Sequence, residues 1–435
     1  MPVLFFLCLG RPVAFTVTFF SLTPYFVIKF SGFYRNQGII MFRKSLLLAG
    51  IFAASLLTQS CSLFERDVYV VADVPEIQNQ FEPRILWKTS VGDGVDRFYS
   101  FLVPAVSDEK VFVASRDGDV ECLERATGKT LWSIDLSDEE ENDDRRSARI
   151  SGGVSLGLDS LYVTSENGYV YAIDRSDGSL KWKNNIGYEM MSRPLALADR
   201  VVVLTTDGQL VALSDYDGHK LWSTPKEEQS LTLRGTSSPI EIERGKLIMY
   251  GTSQGKISIV DSETGMLVHS FIVSLPKGSS AIETIGDVDA MPLFVDGQLY
   301  AVGYHGSLLN IIAGGGWKKE ISSSKDIGYD YSDIFVTDDE GHIHSVSRSS
   351  GEERWLNRDL SYRGVTGPVS YRSYVLVGDM DGYLYWLDNA TGTIVSMDDY
   401  DGSGLNVAPV VYDDVAYLQT RSGKVYAITL KEDGE

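Results

Sequence analysis

Apolar and polar residues alternate along most of the chain beyond residue 84, in short runs that each follow a turn residue and a glycine. Asp117-Gly118 precedes one run, Asp119 to Leu123, and Asn167-Gly168 precedes another, Tyr169 to Ile173. The pattern returns at Asp207-Gly208, Gln254-Gly255, His305-Gly306, Glu340-Gly341, Asp381-Gly382 and Ser422-Gly423, a spacing of about 44 residues. Alternation with a period of two predicts strands. Asp-Gly and Asn-Gly ahead of such runs predict tight hairpins, because a type I′ turn places φ in the positive region.

A second glycine turn follows most of these strands. Gly128 to Trp132, Gly178 to Trp182, Gly218 to Trp222 and Gly351 to Trp355 share the form Gly-x-x-x-Trp. Gly265 leads instead to His269 and Gly392 to Ser396, and the fifth copy is shortened to Gly314-Gly315-Gly316-Trp317. Upstream of the first turn, Pro104, Pro194, Pro239, Pro292, Pro368 and Pro409 hold equivalent places. Proline cannot donate to a ladder and is confined to edge strands or strand starts. Each unit therefore reads as four antiparallel strands, the blade of a propeller.

Eight units predict an all-β, eight-bladed β-propeller over residues 84–430. The last unit lacks its outer strand, and Ile85 to Val91 resembles the segment after each Gly-x-x-x-Trp turn. The expectation is that this N-terminal strand completes the last blade beside Val425 to Leu430. The recurring tryptophans read as core rings wedged between neighbouring blades, since a ligand platform would be singular rather than periodic.

Composition narrows the function. The 435 residues carry a formal net charge of −21, and Arg11, Lys29, Arg35, Arg43 and Lys44 are the only charges in the first sixty. The remainder has no basic footprint for nucleic acid. Cys8, Cys61 and Cys122 are scattered, so neither a disulfide framework nor a structural zinc site is expected.

The start of the chain reads as targeting sequence. Met41-Phe-Arg43-Lys44, the apolar run Ser45 to Leu57 and Ser60-Cys61 form a secretory signal. A small residue followed by cysteine resembles a bacterial lipoprotein signal, with Cys61 as the lipidated first residue. The resemblance is off pattern, because leucine stands four residues before the cysteine rather than three. Residues 41–60 are thus expected to be a signal peptide, 61–83 a lipidated linker, and 431–435 an acidic tail. Residues 1–40 read as an upstream extension preceding the true start at Met41.

No nucleophile elbow, phosphate loop or helical histidine pair occurs. His342 and His344 share one strand face but read as exposed strand residues, and no metal or other cofactor is expected. The acidic run Asp138 to Asp144 reads as a solvated inter-blade loop. Two other loops are more informative. Leu231-Thr-Leu233-Arg234-Gly235 leads to Pro239, and Gly286-Asp287-Val288-Asp289 leads to Pro292. Arg234 and Asp287 each stand five residues before the repeat proline in consecutive blades, which puts them side by side at one end of a propeller. Apolar anchors beside an arginine and carboxylates suit the docking of a partner. The same residues are also open to a plainer reading, an Arg234–Asp287 pair within the chain.

Several segments together resemble the BamB family, lipoproteins of the Gram-negative outer-membrane β-barrel assembly machinery. They are Cys61-Ser-Leu-Phe, Asn79-Gln-Phe, Trp87-Lys-Thr-Ser-Val-Gly, Phe98-Tyr-Ser, Leu231-Thr-Leu-Arg-Gly, Asp287-Val-Asp and Val377 to Trp386. The resemblance implies a non-enzymatic scaffold, lipid-anchored in the outer membrane and facing the periplasm. It implies that Leu231, Leu233, Arg234, Asp287 and Asp289 bind a POTRA domain of BamA. Other lipoproteins of the machinery would be indirect partners, and nascent outer-membrane proteins are a further candidate. Two rival classes share the repeat: a dehydrogenase using pyrroloquinoline quinone (PQQ), many of which carry adjacent cysteines absent here, and a periplasmic ligand-binding propeller.

Overall fold

The computed structural model describes residues 5–8, 11–14, 69–139, 145–227, 233, 235–275, 285–312 and 315–430. The chain divides into two units, Met1–Val68 and Tyr69–Glu435. Within the first, Phe5–Cys8 and Arg11–Ala14 form an antiparallel hairpin. The second is an eight-bladed β-propeller.

Each blade is a four-stranded antiparallel sheet numbered in chain order. Blade 1 comprises Ala105–Val106, Lys110–Ala114, Asp119–Glu124 and Thr130–Asp135. Blades 2 to 7 repeat this order, their inner strands starting at Ile150, Leu195, Ile240, Leu293, Gly328 and Val369. Blade 8 comprises Val410–Tyr412, Val415–Gln419 and Lys424–Thr429. Its outer strand is Arg84–Ser90, paired antiparallel with Lys424–Thr429. The ring is closed as the repeat count requires. All six repeat prolines stand one residue before an inner strand, where the missing N–H costs no ladder bond. Phe101–Leu102 adds a short parallel strand to the inner edge of blade 2.

The alternation of side chains places the core. In blade 1, Phe112, Ala114, Val120 and Cys122 pack toward blade 2, while Val111, Val113 and Leu123 pack toward blade 8. Both faces of every blade are covered, so these strands are apolar on both sides. Eight buried clusters result among the described residues, one at each seam between neighbours.

Tryptophan latches six of those seams. The Trp132 indole N–H donates to the carbonyl of Arg175 in the next blade at 3.2 Å, and Trp182 donates to Asp215 at 2.7 Å. Trp87, Trp222, Trp317 and Trp355 do the same to Arg125, Ser262, Arg348 and Asn389. Each ring also lies over the turn glycine of the next blade. At Gly128, φ is +70°, and a Cβ there would come within 2.5 Å of the Trp87 ring. The recurring Gly-x-x-x-Trp is therefore a ring-and-socket repeat, and the glycine is needed for both backbone and space.

The latch is missing where His269 and Ser396 replace tryptophan, at the blade 4–5 and blade 7–8 seams. At the second, residues 69–83 cross the outer side of the ring. The Gln80 N–H donates to the carbonyl of Val395 at 2.9 Å. The Asn79 side chain donates to and accepts from the Met397 backbone, both at 3.0 Å. Phe81 packs on Tyr374 and Trp386, its ring centroid 5.0 and 5.6 Å from theirs. The expected linker is thus a strap that fills an empty socket. His342 and His344 are not exposed as expected. His344 is buried, and both imidazoles bond the Asp338 carboxylate, at 3.0 and 3.1 Å.

Candidate partner-docking rim

Blade 4 is bracketed by two loops at one end of the ring. The first leaves the outer strand of blade 3, Lys220–Ser223, and enters blade 4 at Ile240; the second leaves Leu267–Ile272 and enters blade 5 at Leu293. Of the five residues expected at the rim, Leu233, Asp287 and Asp289 are described. Leu231 and Arg234 lie outside the described residues, as do the signal segment, Cys61 and the acidic tail.

The described residues bring the two loops together. The Leu233 N–H donates to the Asp287 carboxylate. The Ser237 hydroxyl donates to the carbonyl of Ala290 at 3.1 Å. Gly235 lies so near Asp289 that a Cβ there would sit 2.7 Å from the carboxylate. Arg234 therefore falls in sequence between two residues that each meet one of the aspartates.

The two aspartates differ in depth. Asp287 is 1% exposed, and its second carboxylate oxygen is buried without a hydrogen bond. Burial pushes its pKa up to about 6 against the opposing pull of the Leu233 N–H, with Glu227 adding repulsion. Such a group holds the Leu233 loop in place. Asp289 is half-buried, and among the described residues none donates a hydrogen bond to it. Burial, reinforced by Asp287, raises its pKa to about 7. It lines a cavity of about 670 Å³ at the mouth of the central channel, together with Leu233, Gly235, Tyr304 and Lys325. Glu227, the third carboxylate here, is also raised by burial and accepts from the Ser253 hydroxyl at 2.8 Å.

A related corner recurs at blade 7. Arg363-Gly364 stands five residues before Pro368, the register of Arg234-Gly235 before Pro239. The Arg363 guanidinium bonds Asp379 and Asp381 at 2.8 and 2.7 Å. Its remaining terminal nitrogen donates to the carbonyl of Ala72 in the strap at 2.9 Å. An arginine at this place in the repeat grips a foreign stretch of backbone while carboxylates hold its other face.

The family model described as outer membrane protein assembly factor BamB matches residues 80–145 and 116–357. An assembly factor of that name from Yersinia pestis is 38% identical over 88% of this chain and 98% of its own length. The Escherichia coli protein is 35% identical over 89% and 99%. The chain belongs to the BamB family. The crystal structure of BamB from Moraxella catarrhalis aligns with a TM-score of 0.72 at 24% identity, over 80% of this chain and all of that one. The quinohemoprotein alcohol dehydrogenase of Comamonas testosteroni aligns at 0.61 with 13% identity, over 82% and 78%, and shares the propeller fold alone. The BamB resemblance read from the sequence motifs is thereby established.

Sequence reasoning placed the two rim loops beside each other but not their division of labour. Nothing in Asp287-Val-Asp289 distinguishes the buried aspartate from the one facing the cavity. It also missed the strap, although the signal was present: Ser396 breaks the tryptophan repeat, and Asn79-Gln-Phe81 is the segment that compensates.

Proposed function

We propose that this chain is a non-enzymatic scaffold subunit of the outer-membrane β-barrel assembly complex, docking a POTRA domain of BamA at the blade 4 rim and so assisting the folding and insertion of outer-membrane proteins. Leu231 and Leu233 supply apolar anchors, Arg234 and Asp289 the polar contacts, and Asp287 fixes the loop that carries them. The observation that carries this reading is the pinning of the Leu233 loop by Asp287, with Gly235 of the same loop packed beside Asp289 at the channel mouth. A preorganised loop loses little conformational freedom on binding. The Arg363 corner supports the role given to Arg234, since there the same register binds an added backbone segment.

The chain is held at the outer membrane, on its periplasmic side, by acylation of Cys61 after removal of residues 41–60. Residues 1–40 precede the functional start. A Cys61→Ser variant is expected to leave the membrane fraction for the soluble periplasm; retention in the membrane would remove the anchor. For the rim, capture of a purified POTRA fragment of BamA is the test. Arg234→Ala and Asp289→Ala are each expected to weaken capture about tenfold or more, the first with the melting temperature nearly unchanged and the second without lowering it. Capture equal to the parent protein would overturn the assignment, and loss of fold with Arg234→Ala would favour an internal ion pair.

A further inference from the structure

The propeller has eight outer strands, and an outer strand is an edge with one side of its backbone unpaired. Natural edges are guarded by charge, lysine above all. Lys181 and Lys183 guard blade 2, Lys220 blade 3, Lys318 and Lys319 blade 5, and Glu353 and Arg354 blade 6. Asp135, Asp398 with Asp399, and Arg84 with Lys88 do so for blades 1, 7 and 8. Blade 4 alone has an outer strand, Leu267–Ile272, with no Lys, Arg, Asp or Glu. Three of its apolar side chains are open to solvent, Leu267 at 64%, Val268 at 55% and Ile272 at 57%, and Met266 just before the strand is 70% exposed.

Blade 7 shows what such an edge does when occupied. Counted from the turn glycines Gly265 and Gly392, Leu267 and Val268 correspond to Ile394 and Val395, and His269 to Ser396. Ile394 and Val395 are each only 6% exposed. What covers them is the strap, which adds an extended segment to the strand edge. The Gln80 N–H donates to Val395, Asn79 bridges the Met397 backbone, and the Ser396 hydroxyl donates to the carbonyl of Phe81 at 2.8 Å. Both blades without the tryptophan latch thus open their outer strand on two consecutive apolar residues, Leu267-Val268 and Ile394-Val395. One is covered from within the chain; for the other, no described residue hydrogen-bonds the open edge.

We infer that the outer edge of blade 4 is a strand-addition site for an extended, uncharged segment of the docking partner, seated as Asn79-Gln80-Phe81 is seated on blade 7. The inference rests on the rim reading above, because the occupant is argued from continuity: the two rim loops are the ones that enter and leave this blade. A domain held at Leu233 and Asp289 has the start and end of blade 4 beneath it. Main-chain hydrogen bonds along an open edge supply affinity with little sequence demand, and the apolar side chains set the register. The segment must be uncharged where it crosses Leu267 and Val268, since an unpaired charge there would be desolvated.

Hydrogen exchange of the full chain, with and without a purified POTRA fragment of BamA, reads the pairing directly. The outward amides of Leu267–Ile272 are expected to slow by about tenfold or more in the complex, with the outer strand of blade 1 unchanged as control. Val268→Lys, at an exposed position, is expected to leave the melting temperature as it was and to weaken capture by about tenfold. Absence of protection while Arg234→Ala still abolishes capture would overturn strand addition and leave the rim intact. Capture lost with Val268→Lys but unaffected by Arg234→Ala would do the reverse. Protection that appears only with an unfolded barrel protein, and not with the fragment, would overturn the docking domain as the occupant.

Discussion

Blades 4 and 7 follow the same repeat and both lack its tryptophan, yet one has a sealed outer edge and the other an open one. In blade 7 the strap buries Ile394 and Val395 and puts Phe81 against Trp386. In blade 4 the equivalent leucine and valine face water beside His269. The comparison teaches that the latch is replaceable. At the blade 7–8 seam the ring and the hydrogen bond come from the strap instead of the repeat. It also teaches that the open edge is not forced by the repeat, since the chain had a working remedy for it.

The largest expected effect comes from placing the same charge in both strands. Ile394→Lys buries an ammonium under the strap and is expected to cost about 3 kcal/mol or more. Leu267→Lys is expected to change stability by less than about 0.5 kcal/mol. Denaturant unfolding of the two variants tests the pair, and equal losses would mean that blade 4 is also covered. Next is the strap itself. Phe81→Ala is expected to cost about 2–3 kcal/mol, somewhat under the range for a fully buried phenylalanine because the ring is only partly enclosed. Smaller still is Asn79→Ala, which removes both bonds to Met397 and is expected to cost about 1–2 kcal/mol. If either strap variant melts like the parent chain, the seam does not depend on the strap.

Most of this architecture was readable in the residue order, for identifiable reasons. The turn glycines and alternating strands recur eight times, so chance agreement at one copy did not matter. Closure by Arg84–Ser90 followed from one missing strand at one end and one surplus strand at the other. The rim loops were placed together because register in a repeat is geometry. What stayed hidden depends on contacts far apart in the chain. Asn79 meets Met397 across more than three hundred residues, and no local pattern encodes that pairing. The histidines of blade 6 looked exposed because alternation alone cannot say that Asp338 turns back to bond both of them. The difference between Asp287 and Asp289 is likewise one of depth, which a period-two pattern does not report.

A last test addresses that difference in depth. Asp289 carries a pKa raised to about 7, chiefly by burial and then by Asp287. A carboxyl whose folded pKa lies above its unfolded value of about 3.9 favours the folded state most when protonated. Its stabilising contribution is complete below the unfolded pKa, and it is lost as the pH rises through about 7. Asp289→Asn removes the ionisation and keeps the shape. The variant is therefore expected to melt above the parent chain at pH 8.5, and the advantage is expected to shrink steadily toward pH 4. Thermal melts across that range decide the matter. An advantage of the same size at every pH would mean that the gain comes from packing, and that the Asp289 carboxylate is not under electrostatic load when the rim is empty. A variant less stable at pH 8.5 would mean that the ionised carboxylate already has a cation beside it, in which case the docking partner would have to displace that cation before binding.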